Sequence, residues 1–174
     1  MPGVGLSEEG RAQSEALAGS LAGRPIRAVV SSPLERAQQT AAPVAARFGL
    51  PVVTEPGLHE IDFGAWTGRT FAELEQDPAW GAWNRFRSVA PCPEGEGMLA
   101  AQARALAALR ALQASHGEGE VVVVSHQDVL KALLSHFLGA PLDLLHRVGL
   151  DPAHRSVLVL YDEGARVEAM NLPP

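Results

Sequence analysis

Two apolar stretches of this chain, residues 26–30 and 120–125, each lead directly into a helical pattern, at residues 33–48 and 127–138. Short runs rich in β-branched residues are typical of strands buried in a sheet, and strands that alternate with helices build largely parallel sheets. Residues 51–54 predict one more short strand after the first of these helices. We therefore expect an α/β fold with a mostly parallel central sheet.

Helix start and stop signals flank the first two predicted helices. Ser7 and the two glutamates after it predict the start of a helix over residues 7–21, because a serine oxygen satisfies free backbone N–H groups and negative charge suits the positive end of the helix dipole. Ser32 is predicted as the N-cap of the second helix, with Pro33 at its first position and Gly49 ending it.

The rest of the chain supplies loops, shorter helices and a pair of strands. These segments are a loop at residues 56–68, short helical pieces at 70–87, a second loop at 88–97, a helix at 98–116, and strands at 156–161 and 166–170. The intervening Asp162-Glu163-Gly164 predicts a hairpin turn. The middle region could cap a site at the sheet edge.

Length and charge exclude several classes of protein. The chain has 174 residues, which suits a single domain over residues 1–174. Fourteen basic and twenty acidic residues give a net charge of −6, and the basic residues form no stripe, so we expect no nucleic-acid partner. The longest apolar run with strand character, residues 121–124, is far shorter than a membrane span, so we expect no membrane partner.

The cysteine content and the lack of cofactor motifs exclude further classes of protein. Cys92 is the single cysteine, so the chain can form no internal disulfide and no thiolate metal site, and we expect a cytoplasmic protein. The sequence has neither a Gly-rich phosphate loop nor a cluster with metal-ligand spacing. We therefore expect no cofactor and no metal.

Polar residues with useful chemistry follow two of the predicted strands. Ligands of open α/β sheets bind at the carboxyl ends of strands, and Arg36 follows the first strand while His126 follows the third. The guanidinium of Arg36 could hold an oxyanion through two hydrogen bonds, or it could form a surface pair with Glu35 or Glu60. His126 lies beside a helix N-terminus, which favours anions; it could act in chemistry or as a structural hydrogen-bonding group.

Three strings of the sequence occur in an order that resembles a known family. They are Ser31-Ser32-Pro33-Leu34-Glu35-Arg36-Ala37-Gln38-Gln39-Thr40-Ala41, Leu58-His59-Glu60-Ile61-Asp62-Phe63-Gly64-Ala65-Trp66-Thr67-Gly68 and Val123-Val124-Ser125-His126. Together with residues 6–13, they resemble the histidine phosphatase family, also called the phosphoglycerate-mutase-like family. The resemblance implies a three-layer α/β/α sandwich and phosphoryl transfer through a phosphohistidine.

The resemblance also implies roles for individual residues. Arg36 matches the phosphate-clamping arginine, His126 the second histidine that stabilises charge on the phosphoryl group, and Glu60 the acid that protonates the leaving alkoxide and later activates water. Gln127 stands where the family often has glycine and still offers a backbone N–H to the phosphate; Glu96 stands near the place of a Gly-Glu-Ser string. The implied activity is hydrolysis of a small phosphorylated metabolite, with phosphoglycerate-mutase-type transfer as the alternative.

The family's nucleophile has no match in these residues. Relatives open with a buried strand that ends in Arg-His-Gly, and that string does not occur here. Apart from His126, the chain has five histidines, in the loop, helices and tail, and none of them follows a buried strand as the nucleophile does. Met1 resembles an internal methionine, so we expect the chain to lack the family's first strand and to be inactive or impaired, or to be a non-catalytic phosphate-binding protein. A strand missing from inside the sheet would leave unpaired edges, and on that ground we expect a homodimer.

Overall fold

The structure is a computed structural model that describes residues 3–162 and 164–174. The helices are α1 (Glu8–Ser20), α2 (Glu35–Phe48), α3 (Phe71–Leu74), α4 (Pro78–Arg85), α5 (Met98–His116) and α6 (Gln127–Leu138). The strands are β1 (Ile26–Ser31), β2 (Val52–Thr54), β3 (Glu120–Val124), β4 (Arg155–Tyr161) and β5 (Gly164–Leu172). Short 3₁₀ helices lie at Pro56–Leu58, Gly64–Trp66 and Leu142–Arg147. Within the described ranges no helix has the length and apolar character needed to cross a membrane.

The central sheet is parallel and has the strand order β2-β1-β3. Ser31 at the end of β1 lies opposite Thr54 of β2 and Val124 of β3, so the carboxyl ends of the strands meet at one edge. The predicted α/β fold with a mostly parallel sheet is confirmed. Polar residues that leave β1 and β3 must therefore lie close together, as the sequence predicts.

Helices cover both faces of this sheet. In β1, Val29 packs with α1 and α2, whereas Ala28 and Val30 pack with Ala108 of α5. A pleated strand sends successive side chains to opposite faces, so an uninterrupted apolar run indicates burial on both. The layers are therefore helices, sheet and helices.

The largest apolar cluster joins α5 and α6 to the middle region of the chain. Trp83 and Met98 in this cluster are fully buried. The ring of Trp66 packs edge-on against the rings of Trp80 and Trp83, with centroid distances of 5.2 and 6.0 Å. This packing anchors the loop around residues 59–68 beside the sheet edge.

The start of α2 differs from the prediction. Leu34 is the N-cap in place of Ser32, and the helix begins at Glu35, so Pro33 precedes the helix. The Ser32 hydroxyl accepts the Leu34 N–H at 3.3 Å and is also bonded to His126 at 2.7 Å. The Ser32 oxygen thus closes a local turn with the backbone N–H two residues ahead. Because this turn is not a helical one, residues 33 and 34 stay outside the helix.

The strands β4 and β5 form an antiparallel hairpin apart from the parallel sheet. Both are longer than predicted, and Tyr161 pairs with Gly164 across the turn. Glu163, which the sequence places in that turn, lies outside the described residues. Among the described strands, β3 pairs with β1 alone and β4 with β5 alone, so each presents one edge without a strand partner.

Candidate active site

Arg36, Glu60 and His126 meet at the carboxyl edge of the parallel sheet. The Nη2 atom of Arg36 lies 3.1 Å from Nδ1 of His126 and 3.7 Å from Oε2 of Glu60. The same Glu60 oxygen lies 3.7 Å from Nδ1 of His126. The structure thus brings together a guanidinium, an imidazole and a carboxyl group that are far apart in sequence. Arg36 and Glu60 also form the ion pair that the sequence left open as an alternative.

Backbone hydrogen bonds place the residues that follow β1 beside those that follow β3. The Ser32 N–H donates to the Val124 carbonyl at 2.9 Å, which extends the strand pairing by one residue. The Gln38 side chain of α2 donates to the Ser32 carbonyl at 2.7 Å, and Ser125 donates its hydroxyl proton to the Leu58 carbonyl at 2.7 Å. These bonds tie β1, β3 and the loop before Glu60 to one another.

His126 is held as a neutral imidazole by its two ring contacts. The Arg36 guanidinium can only donate, so Nδ1 accepts from it, and Nε2 of the neutral ring carries the proton and donates to the Ser32 Oγ at 2.7 Å. Burial, helped by the positive charge of Arg36, lowers the pKa of His126 to about 3. The imidazole is therefore a hydrogen-bonding group at neutral pH, and Arg36 is the cation of this contact.

The pKa of Glu60 is shifted in the opposite direction. Burial raises the pKa of Glu60, and the nearby Asp128 carboxylate adds to that effect. The Ile61 N–H, which donates to the Glu60 carboxyl at 3.1 Å, and the Arg36 guanidinium both lower the pKa. A carboxyl whose pKa is shifted toward neutrality exchanges protons more readily at physiological pH, which suits a general acid or base.

Gln127 starts α6, but its side chain turns away from the other predicted site residues. The amide nitrogen of that side chain donates to the Leu150 carbonyl at 2.6 Å, and the residue is exposed. A contribution to anion binding would come from its backbone N–H at the helix N-terminus, as the resemblance implies.

The sequence pattern predicts no site role for Ser32 or Arg104. The sequence predicts Ser32 as a helix cap, whereas its hydroxyl contacts His126 in the structure. Arg104 lies on α5 and donates to both carboxylate oxygens of Glu96 and to backbone carbonyls beside Glu60. The sequence sign that could point to Arg104 is an arginine among the small residues Ala101, Ala105 and Ala108, which are buried in that helix.

Metal chemistry has no candidate ligand set in the part of the chain that the structure describes. No group of three or more His, Cys, Asp or Glu side chains there has the arrangement to hold an ion. The single thiol, Cys92, is buried. Burial raises its pKa to about 11, and Asp62 adds to the effect, so it remains protonated at neutral pH.

Comparison with known proteins identifies the family. Residues 1–173 match the family described as the histidine phosphatase superfamily (branch 1). The chain belongs to this superfamily. The family predicted from the sequence is therefore confirmed.

Relatives within the histidine phosphatase superfamily include named phosphatases. The adenosylcobalamin/alpha-ribazole phosphatase of Escherichia coli is 31% identical, over 95% of this chain and 83% of that protein. The structure of mycobacterial glucosyl-3-phosphoglycerate phosphatase Rv2419c with inorganic phosphate is 32% identical, with a TM-score of 0.85, and the match covers 97% of this chain and 87% of that one.

The bifunctional protein Rv2228c of Mycobacterium tuberculosis is also similar to this chain. The two are 42% identical over 164 residues, which is 92% of this chain. The chain spans 45% of that protein's length. The likeness therefore concerns less than half of the mycobacterial relative.

Proposed function

We propose that this chain carries the phosphate-binding and proton-transfer residues of a phosphomonoester hydrolase that acts on a small phosphorylated metabolite. The observation that carries the proposal is the contact of one Arg36 nitrogen with both the His126 imidazole, at 3.1 Å, and the Glu60 carboxyl, at 3.7 Å. A fixed cation, a neutral imidazole and a carboxyl of raised pKa are the groups that phosphoryl transfer needs around the phosphorus.

Arg36 binds the phosphoryl oxygens in this proposal. Its guanidinium can donate two parallel hydrogen bonds to an oxyanion, and its position in the first turn of α2 adds the positive end of a helix dipole. Once phosphate replaces the Arg36 contact at Nδ1 of His126, the negative charge of the phosphate favours protonation of that nitrogen, and the ring then donates to the same phosphoryl group. The two residues follow adjacent strands, so they approach the anion from neighbouring positions on the sheet edge.

Glu60 exchanges the proton. In the first step a histidine nitrogen forms a P–N bond while the ester P–O bond breaks, and the Glu60 carboxyl gives its proton to the departing alkoxide oxygen. In the second step water attacks the phosphorus, the Glu60 carboxylate takes a proton from that water, and the P–N bond breaks to release phosphate. The nucleophilic histidine that the family resemblance implies has no match in the 174 residues.

Hydrolysis is favoured over mutase-type transfer by the small size of the middle region. Residues 70–97 hold only the four-residue α3 and the eight-residue α4. Exclusion of water from a phosphohistidine requires a cover over the site, and a short cover leaves water free to attack. This observation supports a phosphatase.

A non-catalytic phosphate-binding protein is the second candidate. It is favoured by the Arg36–His126 contact at 3.1 Å, because this pair can bind a phosphate whether or not the ester is turned over. Both candidates require Arg36 for binding. They differ in whether the bound ester can be turned over when a nucleophile is available.

Chemical rescue separates the two candidates. We would incubate the chain with p-nitrophenyl phosphate in increasing imidazole, an external histidine-like nucleophile, and follow release of p-nitrophenolate. The hydrolase proposal predicts only trace turnover without imidazole, since loss of a covalent nucleophile costs orders of magnitude. It predicts an imidazole-dependent rate that disappears in Arg36→Ala and persists in Arg47→Ala, an exposed arginine of the same helix.

Two outcomes would change this account. A rate in imidazole no higher than that of free imidazole with the ester would favour the non-catalytic protein. Robust turnover without imidazole that disappears in His126→Ala would mean that the nucleophile is His126 itself, and the assignment of that residue to charge stabilisation would be wrong.

A further inference from the structure

The guanidinium of Arg104 joins three separate parts of the chain next to the site. Its Nε and Nη2 atoms each lie 2.7 Å from a different carboxylate oxygen of Glu96. Its Nη1 donates to the Gly57 carbonyl at 2.8 Å, and its Nη2 also donates to the Glu60 carbonyl at 3.4 Å. The Arg104 and Glu96 side chains are 19% and 16% exposed, so this network is largely shielded from water.

The loop that carries Glu60 has no helix or strand between residues 59 and 63, so its position depends on contacts like these. The Glu60 carbonyl accepts a second hydrogen bond from Nδ1 of His59 at 2.6 Å. The Glu96 N–H donates to the Asp62 carbonyl at 2.7 Å, which joins the same two segments through the backbone. Residues 57–62 and 94–97 are thus held together around the Arg104 head group.

We propose that Arg104 is a positioning residue for Glu60, and that Glu96 holds the Arg104 guanidinium in the orientation that this requires. The inference rests on the proposed function, in which Glu60 exchanges the proton. Arg104 fixes the backbone of Glu60 from α5, and α5 is itself anchored in the core through the fully buried Met98, Ala101 and Ala105. The carboxyl of Glu60 is thereby kept within reach of Arg36 and His126.

The planar fork of arginine is necessary for this arrangement. One edge of the guanidinium faces the Glu96 carboxylate, while the remaining donors face carbonyls of residues 57 and 60. A lysine ammonium is a point charge and cannot present these donors in a fixed plane. Removal of Arg104 would leave a half-buried Glu96 carboxylate without its partner, and the loop would relax toward water.

Several charged or titratable groups face Glu60, and they decide in which direction its pKa should change when Arg104 is replaced. They are Arg36 on α2, His126 and Asp128 at the start of α6, Arg104 on α5, and His59 on the loop itself. If Arg104 acted only through charge, its removal would raise the pKa of Glu60, because a cation is lost and the Glu96 charge is exposed. If Arg104 acts by positioning, its removal lets the carboxyl reach water, and the pKa falls toward that of an exposed glutamate.

The experiment is a pH titration of the Glu60 side-chain carboxyl by carbon-13 NMR in the full 174-residue chain, with Arg104→Gln as the variant. We expect the pKa of Glu60 to fall in Arg104→Gln and to stay unchanged in Arg110→Gln, an exposed arginine on the same helix. A well-dispersed amide spectrum shows that each variant is folded. An unchanged or raised pKa in folded Arg104→Gln would overturn the proposal.

Arg104→Lys provides a second test that keeps the positive charge in place. If Arg104 acted only through charge, the pKa of Glu60 would stay unchanged in this variant, whereas loss of the planar fork should let it fall; if this variant is folded and shows no fall, the proposal is wrong whether or not Arg104→Gln folds. Phosphate affinity, measured in parallel, distinguishes failure of this inference from failure of the proposed function. If the pKa of Glu60 does not fall in the folded variants, the role of Arg104 is refuted. If the unaltered chain and Arg36→Ala bind phosphate equally well, the proposed function is refuted.

Discussion

The Oγ atom of Ser32 and the Nε2 atom of His126 lie 2.7 Å apart, although 94 positions separate the two residues in sequence. Both residues are buried, Ser32 completely and His126 to 95%, since its exposed fraction is 5%. The hydroxyl oxygen accepts a hydrogen bond from the Nε2–H of the imidazole, and Nδ1 therefore faces Arg36 and Glu60. The orientation of the ring that we propose to contact phosphate thus depends on a serine in the turn after β1.

Replacement of this serine tests that dependence. Ser32→Ala leaves the Nε2 proton of His126 buried without an acceptor, and an unsatisfied buried donor costs about 1–3 kcal/mol. We expect the free energy of unfolding to fall by that amount in urea denaturation. Ser115→Ala, at an exposed position near the end of α5, serves as the control and should change stability little. Equal stability of Ser32→Ala and the unaltered chain would mean that the hydrogen bond does not hold the ring.

The lowered pKa of His126 predicts a specific loss of stability in acid. In the unfolded chain the histidine has a pKa of about 6.5, and in the folded chain its pKa is about 3. The unfolded state therefore binds more protons between these values, and stability falls as the pH drops below about 6.5, with a slope of up to about 1.4 kcal/mol per pH unit from this group. Above that range His126 contributes no pH dependence.

Urea denaturation at pH 7 and pH 5 measures this acid effect. His126→Asn should lose less stability between the two pH values than the unaltered chain, whereas His146→Asn, at an exposed position, should behave like the unaltered chain. Glu60 acts in the opposite direction, because its raised pKa favours the folded state in acid. The same pH dependence in His126→Asn and the unaltered chain would contradict a buried neutral imidazole.

Gly95 lies where two loops beside Glu60 approach each other closely. A Cβ atom at Gly95 would lie 2.3 Å from the Asp62 carbonyl oxygen and 2.8 Å from the Gly64 nitrogen, whereas a Cβ at Gly97 meets nothing within 4 Å. Gly95→Ala should therefore destabilise the protein by about 1–3 kcal/mol through overpacking, and Gly97→Ala should not. Thermal unfolding of both variants makes the comparison. Equal melting temperatures would mean that the loops are not in contact as described.

The fold was predictable wherever the signal was local. The apolar run of β1 and the helix α6, which ends at Gly139 in the left-handed conformation, follow from neighbouring residues. The carboxyl-edge rule then placed Arg36 near His126, because both follow strands of one parallel sheet. The family motif supplied Glu60, which periodicity alone did not single out.

The remaining features of the site depend on distant partners. Ser32 has the composition of a helix cap, and only the position of His126 decides that its hydroxyl turns elsewhere. Arg104 contacts carbonyls 44 and 47 positions away, and the packing of α5 determines where its long side chain reaches. Such contacts require the assembled core, so the sequence pattern contained no direct sign of them.

The open strand edges predict self-association. Among the described strands, β3 and β4 each have one strand partner, and Val121, Val122 and Val123 are only half-buried. An edge with apolar side chains and unpaired backbone groups favours pairing with another chain. We propose that a second copy covers these edges, and sedimentation at low micromolar concentration should give a homodimer. A stable monomer with a sharp, cooperative melt would contradict this proposal.

Phosphate titration of the chain and its arginine variants tests the central claim most directly. Binding of inorganic phosphate, followed by amide shifts of the residues around His126, should be lost or weakened at least about tenfold in Arg36→Ala, which corresponds to about 1.4 kcal/mol for a charge-assisted hydrogen-bonding group. Arg47→Ala, an exposed position on the same helix, should bind phosphate like the unaltered chain. Equal phosphate affinity of Arg36→Ala and the unaltered chain would contradict the assignment of Arg36, Glu60 and His126 as a phosphate site.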